Sequence, residues 1–183
     1  MNRLRLCLTV ILVASVLCLP AIAQFPNNGG VQWGGGGGSA TTPNVMRCTQ
    51  SANFSVPNAA VTSITFDTND SNGTSAMHST SSNKDRFIAP STGWYVLTAS
   101  VAWATSAGGQ QRYLGWLNSA GTQIGAVAAP INGNEIIQNC TITYYLVAND
   151  YCKPFAYQDS GGALNLNASG SGGGIQASIL LVH

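Results

Sequence analysis

Hydrophobic and polar residues alternate in short runs from about residue 50 onward, and turn residues separate these runs. The clearest run covers residues 94–104. Alternate side chains of a β-strand point to opposite faces, so this run predicts a strand with one face in a core and the other outward. The hydrophobic face comprises Tyr95, Leu97, Ala99, Val101 and Trp103, and the other face includes Thr98 and Ser100.

Other runs with this period predict further strands. They are Arg112–Asn118, Ile136–Val147, Tyr151–Tyr157, Leu164–Leu166 and Ile175–Val182, preceded by opening strands that include Val61, Ile64 and Phe66. Pro154 cannot donate a sheet hydrogen bond, so its strand is expected at a sheet edge. No run after residue 50 has the period of a helix. The pattern therefore predicts an all-β fold, a two-sheet antiparallel jelly-roll sandwich.

Residues 1–23 have the pattern of a secretory signal peptide. Arg3 and Arg5 precede an apolar run over residues 6–19, which the triplet Ala21-Ile22-Ala23 follows. This run has about 14 residues, whereas a helix needs about 20 to cross a bilayer. We therefore expect cleavage after Ala23, secretion to the extracellular space and no membrane span.

Residues 24–49 predict a glycine-rich flexible linker, with five consecutive glycines at positions 34–38. Such a segment buries too little surface to offset the entropy lost on ordering. Its glycines follow neither the Gly-X-Y period of collagen nor the spacing of a phosphate-binding loop. Residues 50–183 are enough for one domain with a substantial core.

Charged residues are sparse, at 7% of the chain. Loss of residues 1–23 removes two of the 7 basic residues and none of the 6 acidic ones, which leaves a net charge of about −1. The remaining basic residues are dispersed and form no surface for a polyanion. Nucleic acid is therefore excluded as a partner.

Residues suited to catalysis are few and scattered. His78 lies in a polar Ser/Thr-rich loop and His183 is the last residue, so we expect both to be exposed. The stretch Asp67–Gly73 has oxygen ligands on alternate residues, but Thr68 and Ser79 then occupy the first and twelfth positions of a calcium loop, where acids are needed. We therefore assign no catalytic residue, metal ligand or cofactor, and expect a protein that is not an enzyme.

Cysteine and tryptophan add two expectations. Cys48, Cys140 and Cys152 remain after signal removal, and their spacing matches neither a zinc site nor a redox pair. Cys140 and Cys152 are expected as small buried hydrophobic residues. The four tryptophans suit core or interface packing, although an exposed one would suit stacking on a sugar: Trp33, Trp94, Trp103 and Trp116.

Three segments resemble the C1q/TNF-like domain family, over about residues 53–183. Phe87–Leu97 is similar to the Phe, Pro and Gly-aromatic-Tyr run that leads into a central strand of that domain. Leu146–Cys152 is similar to its hydrophobic strand and Gly-Asp turn, with Asn149 in place of the glycine. Ser169–His183 resembles its Ser/Gly-rich loop and terminal core strand. The resemblance implies a jelly roll that assembles as a homotrimer.

The resemblance also implies positions for the cysteines. The strands of Cys140 and Cys152 would lie in opposite sheets around a turn at Asn149, with an offset of about 20 Å at about 3.3 Å per residue. A disulfide needs Cα atoms within about 7 Å, so no bridge is expected between these two cysteines. Some family members bind calcium near the trimer apex, which leaves calcium open here without assigned residues.

An oligomer interface is expected on the outward face of the final strand, where Leu180 and Val182 are apolar. The resemblance places a strand of the same sheet beside it, with Trp94 and Val96 on its outward side. A patch of this kind seldom stays exposed on a monomer. The predicted interface residues are therefore Trp94, Val96, Leu180 and Val182.

Three functions follow from these observations. The first is a secreted, homotrimeric recognition or structural head that binds an extracellular protein or glycan without catalysis. The alternative is a carbohydrate-binding jelly roll, as in a lectin or adhesin, in which an exposed tryptophan holds the sugar. The third, an extracellular enzyme on a β-sandwich, needs an acid pair or a histidine-containing triad that the sequence does not show.

Overall fold

The computed structural model describes residues 44–70, 73–106, 108–131, 133–169 and 173–182. They belong to one compact unit, Thr41–His183. The predicted signal peptide, residues 24–43 of the predicted linker and His183 lie outside the described residues. None of the helical structure in the described part is long and apolar enough to cross a membrane.

The described residues form strands and one short 3-10 helix, Ser75–Met77. The strands are β1 (Val45–Gln50), β2 (Phe54–Val56), β3 (Thr62–Ser63), β4 (Thr68–Asn69), β5 (Phe87–Ile88), β6 (Gly93–Trp103), β7 (Arg112–Asn118), β8 (Gln123–Ala129), β9 (Ile136–Leu146), β10 (Tyr151–Gln158), β11 (Leu164–Leu166) and β12 (Ile175–Val182). These strands pair antiparallel in two sheets, which confirms the predicted all-β sandwich. The six runs whose bounds were predicted begin and end within one residue of an observed strand: β6, β7, β9, β10, β11 and β12.

The larger sheet is built around β6. Strand β9 pairs with the full length of β6 on one side, and β12 and β11 pair with it on the other. Beyond these, β12 pairs with β1, β1 with β4, and β11 with β2. The alternation of β6 explains this central position, because its inward residues, such as Tyr95 and Leu97, are fully buried.

The smaller sheet has the order β3-β10-β7-β8, and β5 also pairs with β10. The prediction that Pro154 marks an edge strand is wrong, since β10 has neighbours on both sides. The carbonyl of Pro154 accepts a hydrogen bond from Ile64 N–H, on the side away from β7. The missing N–H therefore falls between the short strands β3 and β5 and interrupts no bond to β7.

The core lies between the two sheets, and a buried amide links them. Trp103 Nε1 on β6 donates to Gln138 Oε1 on β9 at 2.8 Å. Gln138 Nε2 in turn donates to the carbonyl oxygens of Arg112 and Val127 in the smaller sheet, at 3.1 and 2.7 Å. A buried amide is tolerated because its polar atoms have partners.

The turn between β9 and β10 lies in one of the three segments that resemble the family and is hydrogen-bonded to another, Phe87–Leu97. Asn149 has φ +69°, a left-handed conformation that asparagine tolerates better than most residues. Its N–H donates to the carbonyl of Ala89, and Ala89 N–H donates to the carbonyl of Asp150. Asparagine at this position therefore supports the turn, where the family that the sequence resembles has glycine.

The two longest strands that were not predicted are β1 and β8. Strand β1 begins at Val45, so the last five residues of the segment predicted as linker belong to the sheet, with Met46 and Cys48 buried. Strand β8 consists mainly of small residues and shows no alternation of buried and exposed positions. Alanine and glycine have low strand propensity, so its pairing with β7 is what makes it a strand.

Candidate functional site

The outer face of the larger sheet carries four rows of side chains across β1, β12, β6 and β9. Residues directly opposite each other in antiparallel strands point to the same face. The rows are Val182, Trp94 and Tyr145; then Val45, Leu180, Val96 and Thr143; then Arg47, Ser178, Thr98 and Thr141; and then Thr49, Gln176, Ser100 and Asn139. The first two rows are apolar apart from Thr143, and the other two are polar.

The structure brings the four predicted interface residues together in the two apolar rows. Val182 pairs directly with Trp94, and Leu180 with Val96. Trp94 is 55% exposed, Val182 48% and Leu180 38%, while Val96 is half-buried. Six residues of these two rows form what we call the apolar patch: Val45, Trp94, Val96, Tyr145, Leu180 and Val182.

Two members of the apolar patch were not predicted as interface residues. Tyr145 is 47% exposed, and its ring meets that of Trp94 edge-on with centroids 5.4 Å apart. Val45 pairs directly with Leu180. The alternation of β9 carried the signal for Tyr145, because inward residues at Cys140 and Leu146 place Tyr145 outward.

The two polar rows border a cavity of about 180 Å³ beside the apolar patch. Arg47 donates to Gln176 Oε1 from both Nε and Nη2, at 3.1 and 2.6 Å. Thr98 and Thr141 hydroxyls share a hydrogen bond of 3.2 Å across β6 and β9. Arg47 is the one charged residue in the four rows, so the face as a whole suits contact with another protein surface rather than with a polyion.

His78 is buried, so the prediction that it is exposed is wrong. It is 2% exposed, and its ring packs against those of Phe66 and Phe87, with centroids 6.1 and 5.2 Å away. Nδ1 lies 2.7 Å from Asn69 Oδ1 and Nε2 lies 2.9 Å from the Lys84 carbonyl oxygen. Burial is the largest influence on the pKa of His78 and lowers it. The residue anchors a polar loop to the core and is closed off from any substrate.

Arg112 and Asp159 form an ion pair at one end of the smaller sheet. The guanidinium of Arg112 is buried and donates to the carbonyl oxygens of Gln111 and Gly108, both at 3.0 Å. Asp159 Oδ1 lies 3.8 Å from Arg112 Nη1. It also accepts the backbone N–H groups of Gln111 and Gln110, which lower the pKa of Asp159, and the charge of Arg112 lowers it further. The ion pair stabilises a loop and leaves no free acid.

Cys140 lies on β9 of the larger sheet and Cys152 on β10 of the smaller one, which confirms their predicted separation into opposite sheets. Both are buried and free, as is Cys48. Burial raises the pKa of Cys140, and it raises the pKa of Cys48 and Cys152 to about 12. Such thiols act as small hydrophobic side chains rather than as nucleophiles.

The described residues offer few groups for a catalytic site or for a sugar site built on tryptophan. Within the described ranges, no group of three or more His, Cys, Asp or Glu residues has the arrangement needed to hold a metal ion. Trp103 and Trp116 are fully buried, and Trp94 belongs to the apolar patch. Trp33 lies outside the described residues. The described tryptophans therefore pack in the core or on the apolar patch, and none stands alone as a sugar platform.

The fold, in contrast to the sequence, has known counterparts. The sequence matches no protein-family model and no curated protein. Eiger TNF from S. frugiperda is similar in structure, with a TM-score of 0.54 and 10% identity over 77% of this chain and 93% of that one. Murine APRIL at pH 5.0 gives a TM-score of 0.57 and 10% identity over 76% of this chain and 99% of that one. These likenesses show a TNF/C1q-like jelly roll, and they concern the fold alone.

Proposed function

We propose that this chain is a secreted recognition or structural head, which assembles as a homotrimer through the apolar patch and binds an extracellular ligand without catalysis. The apolar patch is the observation that carries the proposal. Its six side chains lie in two adjacent rows, and four of them are exposed. A contiguous apolar surface of this kind marks an association site.

Closed symmetry buries such a surface in every copy and leaves no free end. The commonest closed assembly is a twofold dimer, and the number three comes from the resemblance to the C1q/TNF-like family. The polar rows beside the patch supply hydroxyl, amide and guanidinium groups for the hydrogen bonds of an interface rim. The narrower assignment to C1q-domain proteins also rests on that resemblance.

Secretion is proposed from the N-terminal sequence. The basic residues, short apolar run and Ala21-Ile22-Ala23 triplet are those of a cleaved signal. The intact mass of the secreted protein tests this, and we expect a chain that begins at Gln24. A secreted species that retains residues 1–23 contradicts it.

The assembly is tested by size-exclusion chromatography with light scattering on the secreted protein at micromolar concentration. We expect three times the mass of one chain. A monomer at this concentration contradicts the proposed interface, whereas a dimer keeps the apolar patch as the interface and contradicts the number three.

A further inference from the structure

The outer face of the smaller sheet carries a pocket that the apolar patch does not touch. Its floor is Phe155, which is 2% exposed although it points away from the core. Its neighbours Cys152 and Ala156 belong to the core cluster, whereas Phe155 does not. Phe155 pairs with Gly115 of β7, and a Cβ atom on Gly115 would lie 2.7 Å from the Phe155 ring. The ring edge therefore occupies the space that a side chain at position 115 would take, and glycine leaves that space free.

Two neighbouring tyrosines form one wall of this pocket. Tyr157 of β10 pairs directly with Tyr113 of β7, one row beyond Phe155 and Gly115. Their ring centroids are 5.9 Å apart and the rings are tilted by 58°. Val61, which is exposed, closes a further side. The pocket has a volume of about 220 Å³.

Polar groups without internal partners surround this aromatic floor. Gln111 and Gln123 line the pocket, and both residues are exposed. Within the part of the chain that the structure describes, neither their side-chain amides nor the hydroxyls of Tyr113 and Tyr157 have a hydrogen-bond partner. Four neutral donor and acceptor groups are thus available to a ligand.

We propose that this pocket binds one neutral sugar ring, presented on an extracellular glycan. The six lining residues carry no charge, which disfavours an anion or cation. The volume is below the range of about 300–1,000 Å³ typical of sites for drug-sized molecules, so a single ring fits better than a larger ligand. A pyranose has apolar C–H faces that pack on aromatic rings and hydroxyls that bind amides, and the pocket offers both surfaces.

An extended proline-rich peptide is the main competitor, because it also docks on tyrosines. Proline rings need an apolar slot and offer few groups for hydrogen bonding. The two free glutamine amides at the pocket therefore favour a ligand with several hydroxyls.

The inference names a ligand for the proposed recognition head, and in that sense it rests on the proposed function. The pocket lies on the smaller sheet and the apolar patch on the larger one, so burial of the patch leaves the pocket open. A trimer would present three pockets, and simultaneous contacts raise avidity for a multivalent glycan without any new contact.

The experiment uses the secreted protein with two probes. One is an array of neutral and acidic glycans, and the other is saturation-transfer NMR with methyl glycosides of glucose, galactose, mannose and N-acetylglucosamine. We expect binding to at least one neutral glycan and its glycoside, and no binding that depends on an acidic sugar. Gln123→Ala should weaken glycoside binding about fivefold, since one or two neutral hydrogen bonds are lost.

Two tyrosine variants complete the test. Tyr157→Ala removes part of the tyrosine wall and should weaken binding more than about tenfold. Tyr151→Ala is the matched control, because Tyr151 lies on the same strand, outside the pocket, and packs against Arg86. It should bind like the native protein. Because Tyr157→Ala also removes packing, thermal melting checks its fold, and Gln123→Ala tests the pocket at an exposed residue.

Two outcomes overturn the proposal: no neutral glycan or glycoside bound, or binding unaffected by both Gln123→Ala and Tyr157→Ala. A proline-rich peptide added to the NMR samples tests the competitor, and displacement of the glycoside signal by a peptide that binds more tightly would also overturn it. Light scattering on the same samples separates this proposal from the trimer. A monomer whose glycoside binding depends on Gln123 supports the pocket and contradicts the trimer. A trimer that binds no sugar contradicts the pocket alone.

Discussion

Val182 lies directly opposite Trp94 where β12 pairs with β6, and about half of each side chain is exposed on the outer face of the larger sheet. In the next row, Leu180 lies opposite Val96 in the same way. Tryptophan and tyrosine are enriched at protein interfaces because they bury a large area and lose little side-chain freedom. The two rows therefore form a single apolar surface, and both β12 and β6 contribute side chains to it.

The first prediction concerns this surface. Replacing Leu180 and Val182 together by Asp places two charges in the apolar patch, where desolvation in an interface would be costly. Both side chains point outward, so the core between the sheets is unchanged. We expect light scattering to show a folded monomer, with a far-ultraviolet circular dichroism spectrum like that of the native protein.

A matched control for this variant is Val61→Asp. Val61 is 59% exposed and directly precedes β3 of the smaller sheet, whereas the apolar patch lies on the larger sheet. The charge introduced is of the same kind, so any general effect of acidity on solubility is shared. Dissociation of the Val61→Asp variant, or persistence of the oligomer in the double variant, would contradict the interface.

Strand positions were predictable where one face is hydrophobic and the other polar. In β6, five alternating residues from Tyr95 to Trp103 are buried, as their spacing requires. Strand β8 escaped prediction because its glycine and alanines carry little of that contrast, and its pairing with β7 depends on residues distant in the sequence. Local pattern cannot supply information of that kind.

The sites divide in the same way. The exposure of Leu180 and Val182 was predictable, because the alternation of β12 places them on its outward face. His78 was not, because its polar neighbours indicate solvent and its burial comes from Phe66 and Phe87. Tyr113 and Tyr157 lie 44 positions apart, and only the pairing of β7 with β10 brings their rings together.

The second prediction concerns the thiols. Cys48, Cys140 and Cys152 are buried, and burial raises the pKa of Cys48 and Cys152 to about 12. The thiolate is the reactive form, so a thiol-reactive disulfide reagent at pH 8 should label none of them until denaturant is added. Peptide mapping without reduction should find no link between Cys140 and Cys152. Recovery of that linked peptide would contradict their assignment to opposite sheets.

The third prediction concerns acid stability. Backbone N–H groups of Gln111 and Gln110, and the charge of Arg112, hold the pKa of Asp159 below its ordinary value of 3.8. The unfolded chain takes up the proton first as the pH falls. The carboxylate therefore contributes its full stability above pH 3.8, and this is lost as the pH falls through the folded-state pKa.

The variant Asp159→Asn tests this linkage, because the amide keeps an oxygen for the two N–H groups and removes the charge near Arg112. We expect a lower midpoint of thermal unfolding at pH 7, and a difference from the native protein that shrinks below pH 3.8. A difference that stays constant from pH 7 to pH 2 would show that the charge of Asp159 makes no contribution.

The fourth prediction concerns Gly115. A Cβ atom there would lie 2.4 Å from the Gly125 carbonyl oxygen, 2.7 Å from Ala126 Cβ and 2.7 Å from the Phe155 ring. The carbonyl belongs to the paired strand β8 and cannot move without distorting the sheet. Gly115→Ala should therefore lower the free energy of unfolding by about 2 kcal/mol, the usual cost of forcing an extra methyl group into a packed site.

Gly162→Ala is the control for Gly115→Ala, because a Cβ atom at Gly162 would meet no atom within 4 Å. Urea unfolding should show a lower midpoint with an unchanged slope for Gly115→Ala, and little change for Gly162→Ala. The added methyl group also displaces the Phe155 ring from the floor of the pocket that Tyr113 and Tyr157 line. Gly115→Ala should consequently lose glycoside binding while it keeps the native oligomeric state, because Gly115 lies on the smaller sheet and the apolar patch on the larger one. Native stability in this variant would contradict the packing of Phe155 on Gly115, and with it the shape of the pocket.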